Sequence, residues 1–271
     1  MSTRTDSYLI CATPRTGSTL FCGLLHSTGV AGRPESYCRV PDERAWADRW
    51  RLARDCRGSF DYRDFVRAAV ADGTTQNGVF GARVMWGTLE EMVTRLGALH
   101  PDLVGADLDL LTRVFGRTRF IHLWRADTVA QAVSWLRAEQ TNYWHPGDNG
   151  CPGQAPHFDF ELIHGLVRTI DEHNAAWRDW FAAFDVRPYT VRYEELIADI
   201  AGVIRGVLGY LGLELPDDRT LLPRDHRQAD EINHDWITRY RAMATARSGP
   251  GPPSADPVPL PSWVRGMSPR R

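Results

Sequence analysis

Short apolar runs alternate with longer amphipathic segments along this chain. Runs too short for helices and bounded by turns predict β-strands, and apolar positions recurring every three or four residues predict helices. The predicted strands cover residues 8–12, 79–84, 120–124 and 187–192, and an Asn-Gly turn precedes the second of them. The predicted helices cover residues 20–28, 42–72, 89–99, 107–115, 127–140, 160–184, 193–196 and 201–211, with a last helix within 224–241.

Strands alternating with helices are typical of an α/β fold with a largely parallel sheet. At 271 residues the chain is long enough for one large α/β domain, or for one domain with an insertion. We predict a P-loop-like three-layer domain over residues 1–247, in which helices flank a mostly parallel central sheet. Residues 248–271 form a separate tail, because residues 248–261 hold six of the 17 prolines, and this composition favours an extended, disordered segment.

The first predicted strand runs into the sequence TPRTGSTL, residues 13–20, and then into a helix. Ser18 and Thr19 offer hydroxyls where that helix begins, which is typical of a capped N-terminus. A strand, a glycine turn and a helix start gather backbone N–H groups and the positive end of a helix dipole. The turn therefore predicts an anion site, for which the expected ligand is a phosphate. An ordinary strand-to-helix turn is the alternative interpretation.

The basic residues restrict what that phosphate can belong to. The chain has no lysine, so all 32 basic residues are arginines. The nucleotide-binding motif GxxxxGK[ST] needs a lysine that reaches the terminal phosphates, so a kinase or nucleotide hydrolase of that type is disfavoured. Arg15 occupies the turn instead, and a guanidinium binds phosphate or sulfate oxygens in a bidentate manner.

Composition excludes several other classes of function. The net charge of −2 gives no electrostatic basis for binding nucleic acid or an anionic membrane. The five cysteines are odd in number and form no CxxC pair, which is typical of a reduced, cytoplasmic protein. Neither a signal sequence nor an apolar run of membrane-spanning length is present in the sequence.

The second informative stretch is RFIHLWRADTVAQAVSW, residues 119–135. Arg125 follows the predicted strand and Asp127 begins the next helix, while Asp159 is expected to cap the later helix at 160–184. If this strand neighbours the first one, Arg125 and Ser134 face the turn at Arg15. His122 alternates into the apolar side of the strand, so we interpret it as a core histidine. The Gly- and Pro-rich residues 140–157 are expected to form a lid or a substrate wall.

The loop after the first helix, VAGRPESYCR at residues 30–39, places Glu35 between Arg33 and Arg39. A solvated surface loop is one interpretation. The other is a ligand site, because such a loop returns toward the carboxyl edge of the sheet, where open α/β folds bind ligands. Trp86 and Trp144, with Tyr143, are candidates for an aromatic wall, although core packing is an equally good account of Trp86.

Six strings in this order resemble sulfotransferases that use 3′-phosphoadenosine 5′-phosphosulfate, and most closely the bacterial Stf0-type family of trehalose 2-sulfotransferases. The strings are TPRTGSTL, TGVAGRPE, NGVFGARVMW, HLWRADTVAQAVSW, EQTNYW, and RQAD followed by DWITRYR. Together these strings are spread over nearly the whole length of the chain.

The resemblance implies a bacterial transferase that moves a sulfuryl group from this donor to a hydroxyl of a sugar or another small molecule. It implies that the donor is bound by residues of the turn and of three later segments: Arg15, Thr16, Gly17, Ser18, Thr19, Arg125, Ser134 and Arg227. It implies an acceptor site lined by Arg33, Glu35, Ser36, Arg39, Arg83, Trp86, Gln140 and Trp144. Arg15 and Glu35 are the expected catalytic residues. A homodimer is also implied.

One position departs from the family pattern. In the family the catalytic glutamate is the second residue after the loop proline, where this chain has Ser36, and Glu35 lies one residue earlier. Either Glu35 acts as the base through a different loop path, or the base is lost or relocated. Two alternatives therefore stay open: a nucleotide-dependent kinase with a divergent turn, and a catalytically weak nucleotide-binding protein. We expect no metal cofactor, because the sequence contains no metal-ligand motif.

Overall fold

The computed structural model describes residues 6–144, 155–217, 219, 221 and 231–247. Four strands form one sheet in the order β2-β1-β3-β4, and every pair of neighbours is parallel. The strands are β1 Ser7–Ala12, β2 Phe80–Met85, β3 Thr118–Trp124 and β4 Tyr189–Arg192. The expected α/β class with a parallel central sheet is confirmed.

Ten helices connect and flank these strands in the described part of the chain. They are α1 Ser18–Ser27, α2 Val40–Arg49, α3 Tyr62–Gly73, α4 Trp86–Leu99, α5 Asp107–Phe115, α6 Thr128–Thr141, α7 Phe160–Ala183, α8 Tyr193–Ala198, α9 Ile200–Leu211 and α10 Glu231–Arg247, with a short 3₁₀ turn at Pro101–Leu103. Among the described residues, no helix is long and apolar enough to cross a membrane.

The sheet is covered on both faces, which explains why β1 is a continuous apolar run. Tyr8 and Ile10 point into a core shared with α1 and α9. Leu9 and Cys11 point into the opposite core, which is shared with α3, α4, α5 and the end of α7. Every residue of β1 is buried. The three layers predicted from the sequence are therefore present.

A third apolar cluster lies beside the sheet rather than on it. It joins α6 to the first half of α7 and to α10, through residues such as Trp135, Ile163, Trp236 and Tyr240. Because α7 is long, its second half reaches the sheet, where Trp177 donates from Nε1 to the carbonyl of Ala12 at 3.0 Å. Helix α7 thus fixes the α6 and α10 pair at the carboxyl end of β1.

One predicted helix was wrong in detail. Residues 42–72 are two helices, because Trp50 ends α2 and Arg51 has a positive φ of 54°. The strand predicted at 79–84 corresponds to β2, and Trp86, just past its end, is the first residue of α4.

Other predictions were confirmed or lie outside the described residues. Asp127 and Asp159 cap α6 and α7 through their side chains, as expected. His122 is 6% exposed and packs its ring against Phe181, as a core histidine should. The centre of the proposed lid, residues 145–154, and the tail, residues 248–271, lie outside the described residues.

Candidate active site

The turn after β1 is built from residues with unusual backbone conformations. Arg15 and Gly17 have φ values of 64° and 85°, and the Thr16 hydroxyl donates to the Thr13 carbonyl at 3.0 Å. Gly17 is the N-cap of α1 and has no side chain with which to cap it. Since the first N–H groups of a helix lack partners within it, this end of α1 is suited to an anion.

Helix α6 holds the first half of the turn. Gln131, which is fully buried, donates from Nε2 to the Thr13 hydroxyl at 2.8 Å and to the Pro14 carbonyl at 2.6 Å. Arg15 donates from Nε to the Ser134 hydroxyl at 3.0 Å and from Nη1 to the Trp144 carbonyl at 2.9 Å. Strands β1 and β3 are neighbours, so the expected meeting of Ser134 with Arg15 is confirmed.

Three guanidiniums gather on this side of the turn. Burial lowers the pKa of Arg15, and the nearby positive charges of Arg125 and Arg137 lower it further. The Arg125 guanidinium lies over the ring of Tyr193, 4.8 Å from its centroid. The same ring packs against Gly17, where an added Cβ would lie 2.4 Å from Cδ2. Tyr193 therefore separates the turn from Arg125 and supports both.

The turn that carries Arg125 is held by the start of α8, which follows β4 directly. Glu194 follows Tyr193 at the start of α8, and its carboxylate accepts from the backbone N–H groups of Ala126 and Asp127 at 3.2 and 3.3 Å. A carboxylate with two N–H donors is a strong hydrogen-bonding arrangement. Tyr193 therefore supports the Arg125 guanidinium, and Glu194 anchors the turn between β3 and α6.

Arg83 organises the opposite side of the turn. It donates from Nε to the Ser36 hydroxyl at 2.8 Å, and from Nη1 to the hydroxyls of Ser18 and Thr19 at 3.2 and 3.1 Å. The predicted capping role of Ser18 and Thr19 was wrong, because their side chains receive Arg83 and Gly17 holds the N-cap position. Arg83 therefore joins β2, the first turn of α1 and the loop after α1.

Glu35 lies beside β2 with an exposed side chain. The backbone N–H of Arg83 donates to the Glu35 carbonyl at 2.9 Å, and Glu35 forms a parallel bridge with Ala82. Burial raises the pKa of the Cys22 thiol to about 12, Arg83 opposes this effect, and the Glu35 carboxylate adds to it. Cys22 is one helical turn after Ser18, so the Glu35 carboxylate is within electrostatic reach of the first turn of α1.

The remaining predicted acceptor residues fall into two groups. Arg33 and Arg39 reach acids of the α2–α3 segment: Arg33 lies 4.0 Å from Asp72, and Arg39 pairs with Asp42 at 2.7 Å. Both arginine side chains are about half exposed.

The second group supports chain segments around the site. Gln140 exchanges two hydrogen bonds with the backbone of His157, on the far side of the undescribed residues 145–154. The Trp86 ring packs edge-on against Trp177 at 5.1 Å, and Trp144 packs against the α6–α7–α10 cluster. Arg227, predicted to bind the donor, lies outside the described residues.

Sequence reasoning missed four residues that build this site: Gln131, Arg137, Tyr193 and Glu194. Gln131 and Arg137 lie three residues before and after Ser134, so helical spacing could have placed them on its face. The contact of Tyr193 with Gly17 joins distant parts of the chain, and neither residue carries a local sign of it.

Comparisons with known proteins agree on one family. The family model described as Stf0 sulphotransferase matches residues 7–243. Trehalose 2-sulfotransferase of Mycobacterium tuberculosis is 32% identical over 270 residues, covering 90% of this chain and 97% of that protein. Trehalose 2-sulfotransferase of Mycolicibacterium smegmatis is 31% identical over 268 residues, with the same coverage.

Two solved structures are similar over most of the chain. The sulfotransferase domain of the Synechococcus PCC 7002 olefin synthase has a TM-score of 0.45 and 17% identity, covering 97% of this chain and 94% of that one. A sulfotransferase from Alicyclobacillus acidocaldarius has a TM-score of 0.45 and 13% identity, covering 90% and 94%. On the family match and the two relatives above 30% identity, the chain belongs to the Stf0 sulphotransferase family.

Proposed function

We propose that this protein transfers a sulfuryl group from 3′-phosphoadenosine 5′-phosphosulfate to a hydroxyl of a sugar, with trehalose or a similar sugar as the first acceptor to test. The observation that carries the proposal is the gathering of Arg15, Arg125, Arg137 and Ser134 around the turn that opens α1. Membership of the family and the names of the two relatives support the reaction and the acceptor class.

The two sides of the turn suit the two ends of such a donor. On the β3 side, Arg125 and Ser134 would bind the 3′-phosphate. At the turn itself, the N–H groups of residues 16–19 and the Arg15 guanidinium, with Arg83 on the β2 side, would hold the 5′-phosphosulfate. The donor supplies an activated sulfuryl group. The protein's part is to orient that group and to stabilise charge on its oxygens.

Arg15 is placed to stabilise the negative charge that develops on the leaving phosphate. Its guanidinium lies beside the turn, where it donates to the Ser134 hydroxyl and to the Trp144 carbonyl. We expect Arg15→Ala to abolish measurable transfer. Arg168→Ala, a change at an exposed arginine of α7, is the matched control and should retain full activity.

Glu35 is the residue we assign as general base for the acceptor hydroxyl. Ser36 lacks a carboxylate, and its hydroxyl already accepts from Arg83. Glu35 is exposed at the mouth of the site and can accept a proton from a bound sugar. Glu35→Gln should lower turnover by about 10²- to 10⁴-fold, the usual contribution of a general base, while the dissociation constant of the donor stays unchanged. Glu90→Gln, at an exposed position of α4, is the control.

One specific observation favours a second candidate, a nucleotide-binding protein with weak catalysis: Ser36 stands where the family pattern has its glutamate. Equal turnover of Glu35→Gln and the unaltered protein would place the base elsewhere and favour that candidate. A divergent kinase is disfavoured by the absence of lysine from the whole sequence. The proposed reaction needs no metal ion, so dialysis against EDTA should leave turnover intact.

A further inference from the structure

One face of α6 is directed at the turn after β1. Gln131 contacts Thr13 and Pro14, and Ser134 contacts Arg15. Arg137 continues this series at the same spacing of three residues, about 4.5 Å further along the helix axis. The face that positions the turn therefore ends in a guanidinium.

Helix α10 holds this guanidinium in place. Arg137 donates from Nη1 to the amide oxygen of Asn233 at 2.7 Å, and Asn233 is only 9% exposed. A second hydrogen bond joins α10 to the start of α6, because Arg241 donates to the carboxylate of Asp127 at 2.9 Å. The contact with Asn233 orients the Arg137 guanidinium.

The charges of Arg125 and Arg137 both act on Arg15, where their repulsion lowers the pKa of its guanidinium. Holding like charges together opposes folding, and a bound anion with two negative charges relieves that repulsion. The strand order places this cluster on the β3 side of β1, whereas Arg83 and Glu35 lie on the β2 side. The turn itself and its β2 side carry the transfer chemistry, so Arg125, Arg137 and Ser134 on the β3 side are left for the other anionic group of the nucleotide.

We propose that Arg137, oriented by Asn233, binds the 3′-phosphate of a nucleoside 3′,5′-bisphosphate together with Arg125 and Ser134. This inference rests on the proposed function. The planar fork of a guanidinium bonds two phosphate oxygens at once, so Arg137 contributes direction as well as charge. Asn233 is a positioning residue, and α10 is thereby part of the nucleotide site.

The test is calorimetric titration of the full chain with 3′-phosphoadenosine 5′-phosphate and, separately, with adenosine 5′-phosphate. Arg137→Gln should weaken binding of the bisphosphate by about 10- to 100-fold, because it removes a charged hydrogen bond. Binding of adenosine 5′-phosphate should change by less than about twofold. Arg137→Lys should recover part of the loss, and the control Arg168→Gln should bind both nucleotides as the unaltered protein does.

Asn233 is tested in the same titration. Asn233→Asp should weaken bisphosphate binding to a similar degree, because the new carboxylate pairs with Arg137 and neutralises it. If Asn233 were purely structural, Asn233→Asp would lower the melting temperature and weaken the binding of both nucleotides to the same degree.

The outcomes separate this inference from the proposed function. Bisphosphate binding by folded Arg137→Gln within about twofold of the unaltered protein would overturn the role of Arg137, as would an equal loss for both nucleotides. Failure of the unaltered protein to bind the bisphosphate would overturn the proposed function itself.

Discussion

Gly17 offers the sharpest structural test of the site. An added Cβ at this residue would lie 2.4 Å from Cδ2 and 2.5 Å from Cε2 of Tyr193. The ring would have to retreat by about 1 Å to reach ordinary contact, which begins at 3.4 Å. Because the Arg125 guanidinium lies over the same ring, the substitution Gly17→Ala should displace Arg125 as well.

The size of the effect can be estimated against a matched control. Gly17 has a φ of 85° and Gly105 a φ of 84°, so alanine at either position costs about 1–2 kcal/mol in backbone strain. At Gly105 no described atom lies within 4 Å of the added Cβ. Gly17→Ala carries about 1–3 kcal/mol more from overpacking. A displacement of about 1 Å near the reacting groups costs about 10²-fold in rate.

The assay combines melting temperature with donor turnover for Gly17→Ala and Gly105→Ala. Both variants should lose stability, and Gly17→Ala should lose more, at about 2–4 °C per kcal/mol. Only Gly17→Ala should lose turnover, by about 10²-fold. If the two variants melted alike and Gly17→Ala kept full turnover, the packing of Tyr193 on the turn would have no part in the site.

Three further predictions concern buried groups. Gln131→Leu removes both hydrogen bonds to the turn, so the donor KM should rise by about tenfold in steady-state kinetics, and an unchanged KM would contradict the positioning role of Gln131. Burial lowers the pKa of His122 to about 4 from 6.5, so its contribution to stability is complete above pH 6.5 and is lost as the pH falls toward 4. The free energy of unfolding, measured with urea, should fall by about 3 kcal/mol as the pH falls from 6.5 to 4, and this fall should be much smaller in His122→Leu. An equal pH dependence in both proteins would refute the lowered pKa of His122. Arg95→Met leaves the buried carboxylate of Glu43 without its ion-pair partner and should cost about 3–5 kcal/mol in urea unfolding, whereas the double variant with Glu43→Met should recover most of that loss.

The elements that the sequence predicted well are those set by local patterns. The apolar run of β1, the apolar spacing of α5 and the caps at Asp127 and Asp159 each depend on residues a few positions apart. The break between α2 and α3 was missed, although the largely polar residues 53–59 interrupt the amphipathic spacing and include Gly58, whose φ is 77°. The break begins at Arg51, whose left-handed conformation is not signalled by its residue type.

The site was predicted only in part, because its geometry joins distant segments. The turn at Arg15 and the position of Arg125 were evident from strand ends and a glycine. The partners that fix them come from elsewhere: Tyr193 is 176 positions after Gly17, and Asn233 is 96 positions after Arg137. Ser18 is a further example, since its hydroxyl looked like a cap and instead receives Arg83 from β2.

The most direct test of the central claim is calorimetric titration of the purified protein with 3′-phosphoadenosine 5′-phosphate, alongside ATP and ADP. The account predicts tight binding of the 3′-phosphorylated nucleotide and much weaker binding of ATP and ADP, because the guanidiniums around Ser134 are placed for a second phosphate on the ribose. A preference for ATP, or no binding of the 3′-phosphorylated nucleotide, would contradict the assignment of the turn at Arg15 as a site for this donor.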